Sequence, residues 1–380
     1  MPDAELVARR DCLVFRDKLL LPSEGFIPNH YTGFDQLRPV YVANRFGWQN
    51  DRLDALQKPT ATSAFGRALF KQFGLCGDLA QFLDEGGGTP AVMHAHFGRG
   101  GALGLPLAKA LGIPLFVTFH GGDATKLTHQ RKRLVGSIYQ RRLAMMHAYA
   151  SGYLCVSDFV ARRLRQQGFP AHKLVTHYIG IPLDQLARPT RRSKDAPFLF
   201  VGRLVEKKGA DNLLSAMRML AATSPGVRLD IAGTGPEESR LRAIASGMDN
   251  VRFLGWQTPE QLSRHLATCN AMVVPSQEAA NGDCEGLPTV VLEALRAGVP
   301  VIASNHAGIP EIIEHGKTGL IVPERDPAAL AEAMRQHLDM GDQAMELVTK
   351  GQQRLREDFD AARQSRRLQD ILLGRVAIAG

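Results

Sequence analysis

The sequence predicts an α/β protein built from two parallel-sheet domains. Three observations carry that expectation. Short apolar runs alternate with amphipathic, helix-length stretches, the pattern of strands joined by helical crossovers. The runs fall into two similar sets, one in each half of the chain. Between the sets lies Arg188-Pro-Thr-Arg-Arg-Ser-Lys-Asp-Ala-Pro197, polar, charged and bounded by prolines, as a linker would be. Two Rossmann-like domains are therefore expected.

The strand candidates of the first half are residues 11–15, 38–43, 91–97, 113–119, 153–157 and 174–179. The first holds the apolar run from Cys12 to Phe15 and is stopped by Arg16-Asp17-Lys18. Gly112 closes the helical stretch before residues 113–119, and Gly168 closes another before residues 174–179. In the second half the candidates are residues 198–201, 228–232, 251–254, 271–274, 299–303 and 319–322. Residues 210–220 read as a helix. Pro288 suits the first turn of a further helix and Gly298 its end. The last ~50 residues carry no strand pattern and read as helical.

A chain of 380 residues, 44% hydrophobic and 22% charged, is long enough for two cores and excludes a disulfide scaffold or a fibre. No window reaches the ~18 uninterrupted apolar residues of a membrane span. Arg9-Arg10 precedes an apolar run too short for a signal-peptide core, so a cytoplasmic protein is expected. The five cysteines (Cys12, Cys76, Cys155, Cys269, Cys284) form no C-x-x-C pair and read as reduced core thiols rather than a zinc site. Residues 1–187 hold 22 Lys and Arg against 14 Asp and Glu, and the rest of the chain holds 24 of each. The whole excess of +8 thus sits in the first half, which points to an anionic surface or substrate there. Nucleic acid is disfavoured: no zinc-finger or helix-turn-helix spacing occurs, and aromatics make up only 7%.

Three constellations carry chemistry. In Asp283-Cys-Glu285-Gly-Leu-Pro-Thr-Val-Val-Leu-Glu293, one carboxylate precedes a helix and the other lies more than a turn inside it. Free amides near Gly286, Leu287 and Thr289 would make an anion site, flanked by carboxylates that accept from hydroxyls. The plainer alternative is a capped helix with two surface glutamates. In Gly202-Arg203-Leu-Val-Glu-Lys-Lys208-Gly209, two cations flank a loop at a strand's C-terminal edge, placed to clamp a diphosphate. A solvated loop is the alternative. In Thr118-Phe-His120-Gly-Gly-Asp123, His120 ends a strand, and the glycines allow a substrate to approach closely.

Other patterns are discounted. His94-Ala-His96 puts two imidazoles on one face of a strand, without a third ligand, and reads as structural. Asp283-x-Glu285 resembles a carboxylate metal pair but reads as part of the loop. Gly233-Thr-Gly235-Pro has Glu238 where a dinucleotide fingerprint needs its third glycine, so NAD binding is disfavoured. No P-loop motif occurs. Lys126, Arg131, Lys132, Arg133, Arg141 and Arg142 line residues 126–142, either as a solvated helix face or as a contact for anionic membrane or acceptor phosphate.

Together, Gly202-Arg203…Lys208-Gly209, Pro275-Ser276, Glu285-Gly…Glu293-Ala, Ala297-Gly-Val-Pro-Val-Ile and Gly308-Ile-Pro-Glu311…Thr318-Gly-Leu resemble the donor domain of the retaining GT-B glycosyltransferases of family four, with their E-x(7)-E pattern. Ser23-Glu-Gly-Phe-Ile27, His94-Ala-His-Phe-Gly98, Thr118-Phe-His-Gly-Gly-Asp123 and Gly282-Asp-Cys-Glu-Gly-Leu-Pro288 resemble its colanic acid and amylovoran exopolysaccharide branch. The resemblance implies an acceptor-binding domain over residues 1–187, the linker 188–197, a nucleotide-sugar domain over 198–357 and a helix over 358–380 crossing back to the first domain. It implies that Arg203 and Lys208, beside Gly202, bind the pyrophosphate, that Glu293 holds the ribose and that Glu285 touches the transferred sugar, with the amides of Gly286, Leu287 and Thr289 in support. Trp256 would lie near the base. His120 would reach towards the donor from the acceptor side, where Asp123 also lies. Two departures stand out: Glu285-Gly-Leu-Pro288 replaces the usual Glu-Gly-Phe-Gly and loses an amide donor at Pro288, and Ser23-Glu-Gly-Phe-Ile27 replaces the common glycine-rich loop.

The expected activity is metal-independent hexosyl transfer, with retention, from a nucleoside diphosphate sugar to a lipid-linked or oligosaccharide acceptor in cell-surface glycan synthesis. No cofactor and no metal are expected. Closure about residues 188–197 would exclude water. The first half would touch the cytoplasmic face of the inner membrane. The alternatives are a non-catalytic sugar-nucleotide-binding protein, a basic membrane- or nucleic-acid-binding protein, and another GT-B-shaped enzyme such as an epimerase or a phosphorylase.

Overall fold

The computed structural model describes residues 9–19, 26–47, 57–84, 87–126 and 137–376. Two units divide the chain: residues 1–180 with 361–380, and residues 181–360. In the first, the strands are β1 (Arg10–Leu19), β2 (Leu37–Phe46), β3 (Gln57–Pro59), β4 (Val92–His96), β5 (Leu115–Phe119), β6 (Gly152–Cys155) and β7 (Leu174–Thr176). All pair parallel, in the order β3-β2-β1-β4-β5-β6-β7. β4 and β5 are buried along their whole length, which is why β5 reads as a near-continuous apolar run rather than an alternating one. In the second unit, β8 (Phe198–Val201), β9 (Leu229–Ala232), β10 (Val251–Gly255), β11 (Met272–Val274), β12 (Val301–Ser304) and β13 (Leu320–Val322) are ordered β10-β9-β8-β11-β12-β13, again parallel.

Every expected strand is present, with ends shifted by a few residues. β1 and β2 run longer than their apolar runs, and β7 stops short at Thr176. β3 was not expected. It is a three-residue edge strand ending in Pro59, too short for a period and placed where proline costs no ladder bond.

The segment expected to link the domains is built into the second unit instead. The chain crosses at Gly180–Ile181 and returns at Asp360–Ala361. Within residues 188–197, the Arg192 guanidinium donates to the carbonyls of Leu266, Ala267, Cys269, Ala297 and Gly298 at 2.8–3.3 Å. Those carbonyls end two helices, Pro259–Thr268 and Thr289–Arg296, so the cation satisfies orphan acceptors at the negative ends of both dipoles. A segment so fastened is no hinge. Charge and proline composition mimicked a linker because Arg192 carries its charge inward.

Helices Pro327–Met340 and Gln343–Asp358 belong to the second unit, and Ala361–Leu372 to the first. There Leu368, Ile371 and Leu372 join Tyr31, Phe34 and Tyr41 in one core. Gln369 Oε1 accepts from the amides of Asp35, Gln36 and Leu37 at 3.1, 2.9 and 3.1 Å. Redrawing the boundary sharpens the charge asymmetry. The first unit holds 26 basic and 14 acidic side chains, the second 20 and 24.

Of the basic stretch 126–142, residues 127–136 lie outside the described residues, as do Ser23, Glu24 and Gly25. Arg142 does not face outward. It is buried and donates to the carbonyls of Ala102 and Gln72 at 3.0 and 3.2 Å. Among the described residues, no helix is long and apolar enough to cross a membrane.

Candidate active site

In each sheet the strand order reverses once beside the first strand of the unit, between β1 and β4 and between β8 and β11. The C-terminal ends of such a pair open a crevice. In the second unit the loop after β8 carries Gly202, Arg203 and Lys208, and the loop after β11 carries Asp283 to Glu285. Two glycines let the loop after β8 pack closely against its neighbours, the loops after β11 and β9. A Cβ on Gly209 would stand 1.9 Å from the Pro275 carbonyl oxygen, and one on Gly233 would stand 1.9 Å from that of Gly202. Gly233-Thr-Gly235 thus serves close packing of loop on loop, which answers the discounted fingerprint. Leu204 N–H donates to the Thr234 carbonyl at 2.9 Å across the same seam.

Lys208 Nζ lies 3.2 Å from Glu285 Oε1, and Lys207 Nζ lies 3.8 Å from it. Lys207 also donates to Asp283 Oδ1 and the Cys284 carbonyl, each at 3.2 Å, pinning the loop that presents Glu285. The Glu285 carboxyl is buried. Burial alone would raise its pKa, but Lys208 and then Lys207 outweigh it, and the carboxyl sits below its ordinary value. The Glu285 amide donates to His306 Nε2 at 3.3 Å, which leaves the His306 proton on Nδ1, 2.7 Å from Glu324 Oε2. Burial holds that imidazole below its usual pKa despite Glu324.

Glu293 stands in the second turn of Thr289–Arg296. Burial pushes its carboxyl up, opposed by Arg296 and Lys208. Gly286 and Leu287 are buried, and Gly286 accepts from the Gly308 amide at 3.1 Å. Pro288 is the N-cap rather than the first helical residue, and Thr289 opens the helix. Arg203 is exposed. Trp256 is apart from this group. Its ring is 69% exposed after the edge strand β10, with β9 and β8 between that strand and the crevice.

In the first unit His120 follows β5. Its amide donates to Asp123 Oδ1 at 2.9 Å, while Asp123 Oδ2 accepts from the Gly98 amide at 3.1 Å. Asp123 thus ties the ends of β4 and β5 together, and burial raises its carboxyl against those hydrogen bonds. His120 Nε2 lies 3.0 Å from His96 Nδ1. Burial, with the charges of His30, Arg16 and His94, holds the His120 ring far below its usual pKa. His94 and His96 are fully buried, and their rings are 4.6 Å apart. Among the described residues, no group of three His, Cys, Asp or Glu is arranged to hold a metal ion.

The structure therefore joins Lys208, Glu285 and Glu293 in one electrostatic cluster, with Arg203 on the same loop as Lys208 and Trp256 after an edge strand of the sheet. The sequence reading overlooked Lys207, His306 and Glu324. His306 was findable, since it follows the run 299–303 at a sheet's C-terminal edge, the same rule that picked His120. Tyr31, which binds both His94 and His96, offered no signal, because it lies in a turn just after the single-turn helix Phe26–Asn29.

Comparison with known proteins bears on this geometry. Residues 184–354 match the Glycosyl transferases group 1 family and residues 42–185 match Glycosyltransferase Family 4. A protein of Salmonella typhimurium named as a colanic acid biosynthesis glycosyltransferase, WcaL, is 31% identical over 293 residues, 74% of this chain and 70% of its own. The amylovoran biosynthesis glycosyltransferase AmsK of Erwinia amylovora is 32% identical over 289 residues, 74% and 69% of the two chains. Anabaena HepE, solved with UDP, superposes with a TM-score of 0.75 at 17% identity over 96% of this chain and all of its own. The chain belongs to the family-four glycosyltransferases of the GT-B fold, and within them it resembles the colanic acid and amylovoran branch.

Proposed function

We propose that this glycosyltransferase moves a hexosyl unit from a nucleoside diphosphate sugar to a lipid-linked saccharide acceptor in exopolysaccharide synthesis, with retention and without a metal. The observation that carries it is the buried Glu285 held by Lys208 at the β8–β11 crevice. An ammonium has three donors, so Lys208 can keep Glu285 and still bind a phosphate oxygen. Arg203, Lys208 and the amides before Thr289 would neutralise the departing diphosphate, the task a divalent cation performs in many transferases. Glu285 would accept from hydroxyls of the transferred sugar and Glu293 from the ribose. In the transfer, the bond from the anomeric carbon to the phosphate oxygen breaks. A bond to the acceptor oxygen forms on the same face, and the acceptor's hydroxyl proton passes to the leaving phosphate.

Thermal unfolding in EDTA with UDP, GDP, ADP and their sugars tests donor binding. One nucleotide is expected to raise the midpoint, through a stabilisation of about 2.7 kcal/mol at a hundredfold excess over Kd. Arg203→Ala should weaken that shift. No shift with any nucleotide overturns the reading. Transfer in EDTA, with the anomeric configuration of the product read by NMR, tests metal independence and retention.

The lipid-linked acceptor places the enzyme at the cytoplasmic face of a membrane, through the basic first unit. Helix Ala64–Phe73 supports this. Phe65 and Phe73 are 73% and 64% exposed, two turns apart on one stripe with Leu69, while Arg67 and Lys71 lie on the opposite face, Lys71 paired with Asp17 at 2.8 Å. Phe65→Ser with Phe73→Ser should lower binding to anionic vesicles by about tenfold or more. Unchanged co-sedimentation removes this helix from the contact.

A further inference from the structure

Behind His120 runs an unbroken polar chain. Thr118 Oγ1 is 2.6 Å from His94 Nε2, and His94 Nδ1 is 2.7 Å from the Tyr31 hydroxyl. That hydroxyl is 2.7 Å from His96 Nε2, and His96 Nδ1 is 3.0 Å from His120 Nε2. Thr118, Tyr31, His94 and His96 are all buried. Burial is the main force keeping His94, His96 and His120 neutral.

Each link holds one proton, and a neutral imidazole has one donor and one acceptor nitrogen. Only two arrangements satisfy every link, and they run in opposite directions. In one, all three histidines carry the proton on Nε2, and His94 donates to Thr118. In the other, all three carry it on Nδ1, and the Thr118 hydroxyl donates to His94.

The threonine end decides between them. Among the described residues the Thr118 hydroxyl bonds only to His94. The first arrangement therefore strands a buried hydroxyl proton without an acceptor, a full desolvation penalty. The second uses that proton. Both arrangements leave His120 Nδ1 open, since it is buried and has no hydrogen-bond partner among the described residues. The second arrangement thus leaves one group unmet and the first leaves two.

We infer that Thr118, through His94, Tyr31 and His96, sets His120 as the Nδ1–H tautomer, so that His120 meets its ligand as a hydrogen-bond donor. Thr118, Tyr31, His94 and His96 are then positioning residues. Where the inference meets chemistry it rests on the transferase reading. On that reading His120 Nδ1–H donates to an oxygen of the bound substrate and is not the base that takes the acceptor's proton. The pair His94-Ala-His96 is thereby more than filler in the core.

NMR of the full-length chain, labelled with 13C,15N-histidine, reads the tautomer of each ring from its nitrogen and Cδ2 shifts without any substrate. His177 is an internal reference, because its Nε2–H donates to the Gln364 carbonyl at 2.9 Å. The expected spectrum shows Nδ1–H at His94, His96 and His120, with His120→Gln assigning the last. Nε2–H at any of the three overturns the inference. Thr118→Val should move His120 towards Nε2–H and lower kcat about tenfold at unchanged donor KM, while Thr118→Ser preserves both. A Thr118→Val spectrum with all three rings unchanged removes the threonine as the source of direction. Expected tautomers with unaltered turnover overturn the catalytic consequence alone, and loss of the transferase reading would leave the tautomer result standing.

Discussion

Lys208→Met is expected to cut kcat by about 10²–10³-fold, the cost of removing one preorganised donor from developing charge. The same change should lower stability, because Glu285 then keeps the more distant Lys207, at 3.8 Å, with a smaller contribution from His306, for its buried charge. Breaking a buried pair on one side costs about 3–5 kcal/mol at most, and Lys207 offsets part of that. Lys208→Met with Glu285→Gln removes the stranded charge and should recover the stability while turnover stays low. Urea unfolding beside single-turnover kinetics separates the two effects. If the double variant regains turnover, Lys208 acts on Glu285 and not on the diphosphate. The pH dependence has a definite sign. The folded Glu285 carboxyl lies below its ordinary value, so it adds stability above the unfolded pKa. That stability is lost as pH falls through the folded value. Glu285→Gln should flatten this acid-side loss, and an unaltered profile would show that the pair does not contribute.

Gly233→Ala is expected to destabilise the second unit by about 3 kcal/mol, adding backbone strain to overpacking. Gly233 has φ +137, and its missing Cβ leaves room for the Gly202 carbonyl, which a methyl would meet at 1.9 Å. Carbonyl and methyl cannot share that space, so the loop bearing Arg203 and Lys208 must move. The midpoint of that unit's unfolding should fall by about 6–12 °C, and nucleotide should no longer raise it. Gly226→Ala is the control: its φ is also positive, at +95, but nothing lies within 4 Å of the added Cβ. It should cost strain alone and leave nucleotide binding intact. Equal losses in both variants would mean that strain, and not contact with the Gly202 loop, carries the effect.

Much of the fold was legible because parallel strands buried on both faces are mostly apolar, and such runs mark themselves. The positions of His120, Arg203, Lys208 and Glu285 followed from one rule, that loops after parallel strands meet at the sheet's C-terminal edge. Residues 188–197 were misread because composition reports charge and proline but not direction. The charge of Arg192 is spent on five carbonyls inside the second unit. That Trp256 follows an edge strand was not legible, because strand order is not written in residue order.

By itself, the sequence determined two α/β sheets, a basic first half and the identities of the cations and carboxylates that ring the second unit's crevice. Only the tertiary structure decided that Lys208 and Glu285 are one buried ion pair, that Lys207, His306 and Glu324 hold it, and that Thr118, Tyr31 and two histidines stand in line behind His120. The physical reason is range. Burial and strand pattern are local properties of a chain, whereas an ion pair between residues 208 and 285, or a hydrogen-bond chain from residue 31 to residue 120, exists only after separate strands have been ordered into a sheet.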